Sequence, residues 1–379
     1  MALDNNLLRD ISSEAAVWRQ QLHQIPELGF EEVKTTKYIE KKLENWGYSL
    51  DRTLTKTGLI ASLSLNNNPS IIAIRAEIDA LQVSPEKIMH ACGHDGHTAI
   101  LLGAAKYLAK TKNFQGKVVL IFQAAEESLG RGEESGAREL IQAGLFDKYP
   151  VQKIFTLHNV PNLPSNLISV KKGPLLAGQS QFYLTFRGQS AHAAYPDKGI
   201  STVQAIAQTA LELEKLRLKK LEAEDWVLAV TKIKIGTAIN IIPDQGVIQG
   251  SIRAFSPDKI TALKKQITTI GHNNAQARQN QYTDEFIDRS PPVINNAQLV
   301  EQVWNVLESF HPSDQIRKKD IKVMTSDDFA HYLQHVPGCY ISLGTGTGTR
   351  VHSLDYRFND DVINSGIKLW TTLVEKQLT

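Results

Sequence analysis

Near the start of the chain, apolar residues Leu8, Ile11, Ala15, Val17, Trp18, Leu22 and Ile25 recur at helical spacings, predicting an amphipathic helix that Pro26 ends. The stretch EEVKTTKYIEKKLENWGY predicts a second helix, with charges of alternating sign on one face and Gly47 just past its end. A repeated unit follows: a short run rich in Val, Ile and Phe, then polar or ionisable residues, then helix or loop. SIIAIRAEID ends at Asp79 and KVVLIFQAAEE at Glu126 and Glu127, while KIFTLHNVP carries His158 and CYISLGTGTGTRVHS leads to His352. Continuous apolar runs of this kind, separated by helices such as TAILLGAAKYLAK and GARELIQAGLF, predict an α/β fold. Its sheet is mostly parallel, with helices on both faces. Ligands of such sheets bind beyond the carboxyl ends of the strands, where each of these ionisable clusters falls.

From about Ala177 the pattern changes. QFYLTFRG, WVLAVTKIKIG and QGVIQGSIRAF alternate like half-buried strands, and two long helical segments separate them, STVQAIAQTALELEKLRLKKLEA and SPDKITALKKQITTIGHNNAQARQ. With QYTDEFIDR as the last strand the order is β-α-β-β-α-β, a ferredoxin-like split βαβ arrangement. We expect an inserted α+β domain over 177–289 and a catalytic domain formed by 1–176 and 290–379.

A chain of 379 residues, 42% of them hydrophobic, is long enough for two cores. Its 42 Lys and Arg nearly balance 40 Asp and Glu, which removes the electrostatic argument for nucleic acid or an anionic membrane and favours a small-molecule partner. No apolar stretch approaches the roughly 18 residues of a membrane span, and the N-terminal stretch lacks the pattern of a secretory signal. Cys92 and Cys339 are too few for a disulfide framework. A cytoplasmic enzyme is the expectation.

The chemistry concentrates in MHACGHDGHTAI, residues 89–100. Cys92 is open to three readings: nucleophile, metal ligand or small buried residue. Separated only by Gly93, Cys92 and His94 can face the same side of an extended loop, and thiolate with imidazole suits a borderline-soft transition metal. Glu127, His158 and His352 at strand ends raise the number of donors to five. That exceeds the roughly three protein ligands of one catalytic zinc and is accommodated by two metals. Adjacent side chains at a strand end diverge, so Glu127 can bind metal while Glu126 serves as general base.

The ordered series HQIPELGFEE, HACGHDGHTA, FQAAEE, LHNVP, FRGQSAHAAYPDKG, GTAINIIPD, GSIRAF, TSDDFAHYLQHVPG and VHSLDYRFND spans nearly the whole chain. In these motifs the sequence resembles the M20 metallopeptidase-like amidohydrolases. The branch it resembles holds hippurate hydrolase, N-acyl-amino-acid amidohydrolases, N-acetyldiaminopimelate deacetylase and plant auxin-conjugate hydrolases. The resemblance implies that Cys92, His94, Glu127, His158 and His352 hold two divalent metal ions (Mn, Zn, Co or Ni) and that Glu126 is the general base and acid. It further implies that Asp79 and Asp95 orient the ligands, that His192 of a lid domain stabilises the tetrahedral intermediate, and that Asn240 and Arg253 hold substrate. The implied substrate is an N-acyl amino acid, with acetyldiaminopimelate or a dipeptide as alternatives, and the implied assembly a homodimer or higher homo-oligomer through the lid. Departures are Glu77 and Asp327, where the family usually has the other acidic residue, Gln82 in place of Pro, and a short 84–88 connection that removes or remodels one wall of the pocket.

The glycine-rich GTGTGTR lacks the Lys-Ser/Thr and following helix of a phosphate loop and reads as a flexible loop before His352. His90 and His97 could support the ligands, whereas His23 shows no partner pattern. Two competing functions are Cys92 as a thiol nucleophile activated by His94 and an inactive small-molecule-binding homologue.

Overall fold

The computed structural model describes residues 3–66, 68–127, 134–218, 225–318 and 322–379. They form two compact units, the second comprising Pro174–Val293 and Lys322–Asp327 and the first the rest. The inserted unit thus begins slightly before the expected 177, and it includes a short return at 322–327 that no change of pattern marks.

In the first unit an eight-stranded sheet is parallel through its middle. Gly116–Gln123, Ile71–Glu77, Lys153–Val160 and Gly338–Gly344 lie side by side in that order, all running the same way. These strands are the four apolar runs read from the sequence, and Ile72 to Glu77 are buried without interruption, as a sheet covered on both faces requires. Antiparallel strands flank them: Leu59–Leu65 pairs with Gly116–Gln123, and Ile168–Ser169 with Gly338–Gly344.

Helices Asn5–His23, His94–Thr111 and Ile363–Gln377 pack on one another in the same hydrophobic core. Asp4 starts the first by accepting from Asn6 N and Leu7 N, both at 3.0 Å. Its buried face is Leu8, Ile11, Ala15, Trp18 and Leu22. Val17 is 50% exposed and Ile25 lies past the helix end, so neither belongs to the stripe; Val17 sits about 100° round the axis from Trp18. The second helix is Val33–Asn45, with Gly47 at φ +80° beyond it. GARELIQAGLF forms two short helices, Gly136–Gln142 and Leu145–Lys148, divided at left-handed Gly144. A tight hairpin, Leu81–Ser84 against Lys87–Met89, fills the short connection before the Cys92 motif.

The second unit follows the ferredoxin-like order. Strands Gly178–Arg187, Trp226–Ile235, Gln245–Ala254 and Gln281–Ser290 form one antiparallel sheet in spatial order second, third, first, fourth. Helices Val203–Leu218 and Pro257–Gln276 complete the β-α-β-β-α-β sequence around a separate core containing Phe182, Leu184, Ile206 and Ile267. Residues 219–223 of the predicted first helix, and 128–133 of the acidic stretch after Glu127, lie outside the described residues.

Candidate metal centre

The carboxyl ends of the parallel strands deliver the first unit's functional side chains to one place. Asp79 and the Glu126–Glu127 pair follow two of them, His158 lies within the third, and His352 comes after the fourth. Cys92 and His94 precede and open the helix His94–Thr111. The expectation of an extended Cys-Gly-His loop is corrected here. Gly93 is the helix N-cap at φ +96°, and a side chain there would collide with Asn159 Nδ2 and Tyr356 Oη, each 2.4 Å from its Cβ position. His94, Asp95 and His97 therefore occupy the first helical turn, with His94 and His97 on one face and their rings 5.6 Å apart.

All five proposed ligands come together. Donor atoms of Cys92, His94 and Glu127 lie within 4.8 Å of one another. Cys92 Sγ is 3.4 Å from His158 Nε2, and His352 Nε2 is 3.2 Å from Glu127 Oε1. His352 is half-exposed, and its backbone N–H donates to Ala91 O at 2.8 Å. Asp79 braces the group: Oδ1 accepts from His94 Nδ1 at 2.9 Å, and Oδ2 accepts the Glu127 N–H at 2.9 Å. His94 Nε2 is consequently turned inward, buried and without a hydrogen-bond partner among the described residues. An orphaned imidazole nitrogen beside a thiol and a carboxylate fits a divalent cation.

The electrostatics agree with that fit. Burial, reinforced by Glu127 and Glu126, pushes the Cys92 thiol well above its ordinary value, the opposite of what an activated nucleophile needs. His94 is also buried, which alone would favour its neutral form, but Asp79 outweighs burial and raises it to about 10. Glu127 is drawn down, against its burial, by His352 and His94. Both Cys92 and His94 hold protons at pH 8 that a cation must displace. Adding zinc to metal-free protein in weak buffer at pH 8 should release at least two protons, visible with a pH indicator. An unchanged indicator would contradict this donor set.

Glu126 takes a different direction. Its carboxylate lies within 4.8 Å of that of Asp328, outside the Cys92–His94–Glu127 group. The divergence begins at Ala125, which has a left-handed φ of +49°. Such a conformation costs a non-glycine residue on the order of 1–3 kcal/mol and persists only where its surroundings enforce it.

Asp95 makes no hydrogen bond to a proposed ligand among the described residues. It is buried on another side of the helical turn, bonded to His23 Nδ1 at 2.8 Å and lying 3.5 Å from Arg19. That also gives His23 the partner its sequence context does not reveal. The residues that sequence reasoning undervalued are Arg75, Glu77, His97 and Asp328. Glu77 accepts from Arg75 and, at 2.9 Å, from His97 Nδ1; Asn159 N donates to His97 Nε2 at 2.9 Å. Both His97 nitrogens are thus used within the protein, and burial lowers it to about 4, so it stays neutral. Arg75 also binds Asp328 at 2.7 Å, and Gln123 donates to both Asp328 oxygens. An Arg and a Glu two apart on a buried strand were the available signal, because such charges must pair internally.

In the second unit His192 lies on a short ladder, Ala191–His192 against Ile241–Ile242, and Asn240 immediately precedes that ladder; both are exposed, and Ala193 N donates to Asn240 O at 2.9 Å. Arg253 is partly buried and donates through Nη1 to Met324 O at 2.8 Å.

A parallel-sheet hydrolase scaffold with sulfur, nitrogen and carboxylate donors gathered at its strand ends defines the class. The profile of peptidase family M20/M25/M40 matches residues 73–376, and the chain belongs to that family. It is 30% identical to hippurate hydrolase of Campylobacter jejuni, over 97% of this chain and 98% of that protein. It is 32% identical to N-acetyl-L-cysteine deacetylase of Bacillus subtilis, over 86% and 79%. Among solved structures, a dinuclear metal-binding peptidase of family M20 from Bacillus subtilis superposes with a TM-score of 0.84 at 27% identity, over 98% of this chain and 99% of that one. The protein is accordingly a hydrolase of the amidohydrolase or peptidase kind, with a binuclear metal centre.

Proposed function

We propose that the protein hydrolyses the amide bond of N-acyl amino acids, giving a carboxylate and a free amino acid. The observation that carries this reading is the convergence of Cys92, His94 and Glu127 around the orphaned His94 Nε2. Relatives named for removing acyl groups from amino acids support the substrate class. Cys92, His94, Glu127, His158 and His352 would hold two divalent cations, and the mixed donor set suits manganese, zinc, cobalt or nickel. Bound there, the cations supply Lewis acidity and lower the pKa of water.

The chain's own residues do the rest. Asp79 fixes the His94 tautomer and anchors the Glu127 backbone. Glu126 accepts a proton from the attacking water and returns it to the leaving nitrogen. His192 is assigned to the developing oxyanion and Asn240 to a polar group of the substrate. Arg253, one of whose nitrogens holds Met324 O, offers its others to a substrate carboxylate. We assign the enzyme to the cytoplasm and expect a homodimer formed through the second unit. No helix among the described residues is long and apolar enough to cross a membrane.

Chelation should abolish release of benzoate from benzoylglycine, or of acetate from acetylated amino acids, and defined metals should restore it. Full activity in verified metal-free enzyme would defeat the proposal.

A further inference from the structure

Between the strand Gly116–Gln123 and the Glu126–Glu127 pair, the chain turns through Ala125. Both polar backbone groups of Ala125 are tied down. Its carbonyl accepts Gly136 N at 2.9 Å, and its N–H donates to Glu32 Oε1 at 2.8 Å. The Gly136 contact needs glycine, since a Cβ there would lie 1.8 Å from Ala124 O. Two residues further on, Asp79 takes the Glu127 N–H. Two buried carboxylates, Glu32 and Asp79, thus each hold one N–H of the same turn.

Glu32 is fully buried although it stands immediately before the helix Val33–Asn45, where a carboxylate commonly stays at the surface and caps the helix. It makes no side-chain cap bond. Its other oxygen accepts the Thr57 hydroxyl. Burying an acidic group that, among the described residues, neither caps its helix nor pairs with a cation has a clear use in fixing Ala125.

We infer that Glu32 is a positioning residue for the Glu126–Glu127 pair: by accepting the Ala125 N–H it locks the left-handed turn that directs Glu127 toward Cys92 and His94 and Glu126 away from them. The inference rests on the roles of Glu126 and Glu127 proposed above. It makes reach, rather than charge, the property required at position 32. Burial and the nearby Asp79 carboxylate push Glu32 up to about 7, consistent with a site that tolerates a neutral acceptor.

Two conservative substitutions separate reach from charge. Glu32→Asp keeps the carboxylate but withdraws it by one methylene from Ala125; Glu32→Gln keeps the length and one acceptor oxygen. In the metal-loaded enzyme, E32D should lower kcat at least about tenfold with KM within about twofold, and in stripped protein it should raise the Kd for cobalt, read by dye competition, at least about tenfold. E32Q should stay within about threefold of the unsubstituted enzyme in both measurements. Thermal midpoints verify that each variant is folded. The inference is overturned if E32D leaves kcat and the cobalt Kd within threefold, or if E32Q is impaired as far as E32D. Should the unsubstituted enzyme turn over no N-acyl amino acid, the amidohydrolase reading falls by itself, and the cobalt measurement still judges Glu32.

Discussion

Glu126→Gln is expected to lower kcat by about 10³-fold, within the range assigned to a positioned general acid–base group, while cation content stays the same. The amide has nearly the shape of the carboxylate but cannot accept the proton of an attacking water. Metal content should survive because the Glu126 carboxylate lies outside the Cys92–His94–Glu127 group, on the Asp328 side of the turn. Measuring kcat, KM and metal stoichiometry on the same preparation tests both halves. Turnover close to that of the unsubstituted enzyme would move the base elsewhere, and loss of a cation would make Glu126 a ligand. A fall in kcat with KM unchanged would mean that the lost interaction belongs to the transition state.

How far such a site can be read without coordinates depends on the range of the interactions that build it. The four central strands are legible because burial on both faces demands unbroken apolar runs, and the strand ends then locate Asp79, Glu127, His158 and His352 together. The split βαβ order of the second unit is legible for a similar reason: half-buried strands alternate. Local conformation around single glycines is less accessible. Cys92-Gly93-His94 fits an extended loop as well as a helix start, and only the crowding of Gly93 by Asn159 and Tyr356 shows why it turns there. Partner choice among buried ionisable residues is still less accessible. Asp95 lies beside His94 in sequence, yet its partner is His23, 72 positions away. Glu77 reads as a departure from a motif, whereas its length allows one carboxylate to meet both Arg75 and His97.

That buried pairing leads to the second large effect. Arg75 and Glu77 side chains are both fully excluded from solvent, so Glu77→Gln should destabilise the metal-free protein by about 3 kcal/mol at pH 7, the lower end of what removing one partner of a buried pair costs. The lower end applies because Arg75 retains Asp328 and the amide oxygen can still accept from His97. Urea unfolding of both proteins, stripped of metal, measures the difference; a loss under about 1 kcal/mol would mean that the pair's attraction merely offsets its desolvation. The pH dependence gives an independent check. Burial acts to raise Glu77, but Arg75 and His97 prevail and hold it well below the usual carboxylate range. Its ionised form therefore contributes stability that is fully present above the ordinary glutamate pKa of about 4.3 and is lost as pH falls through the depressed folded value. Glutamine cannot titrate, so the gap between the two proteins should narrow on acidification below that point. A gap that stayed constant down to the acid transition would assign the cost of the substitution to packing and hydrogen bonding instead of charge.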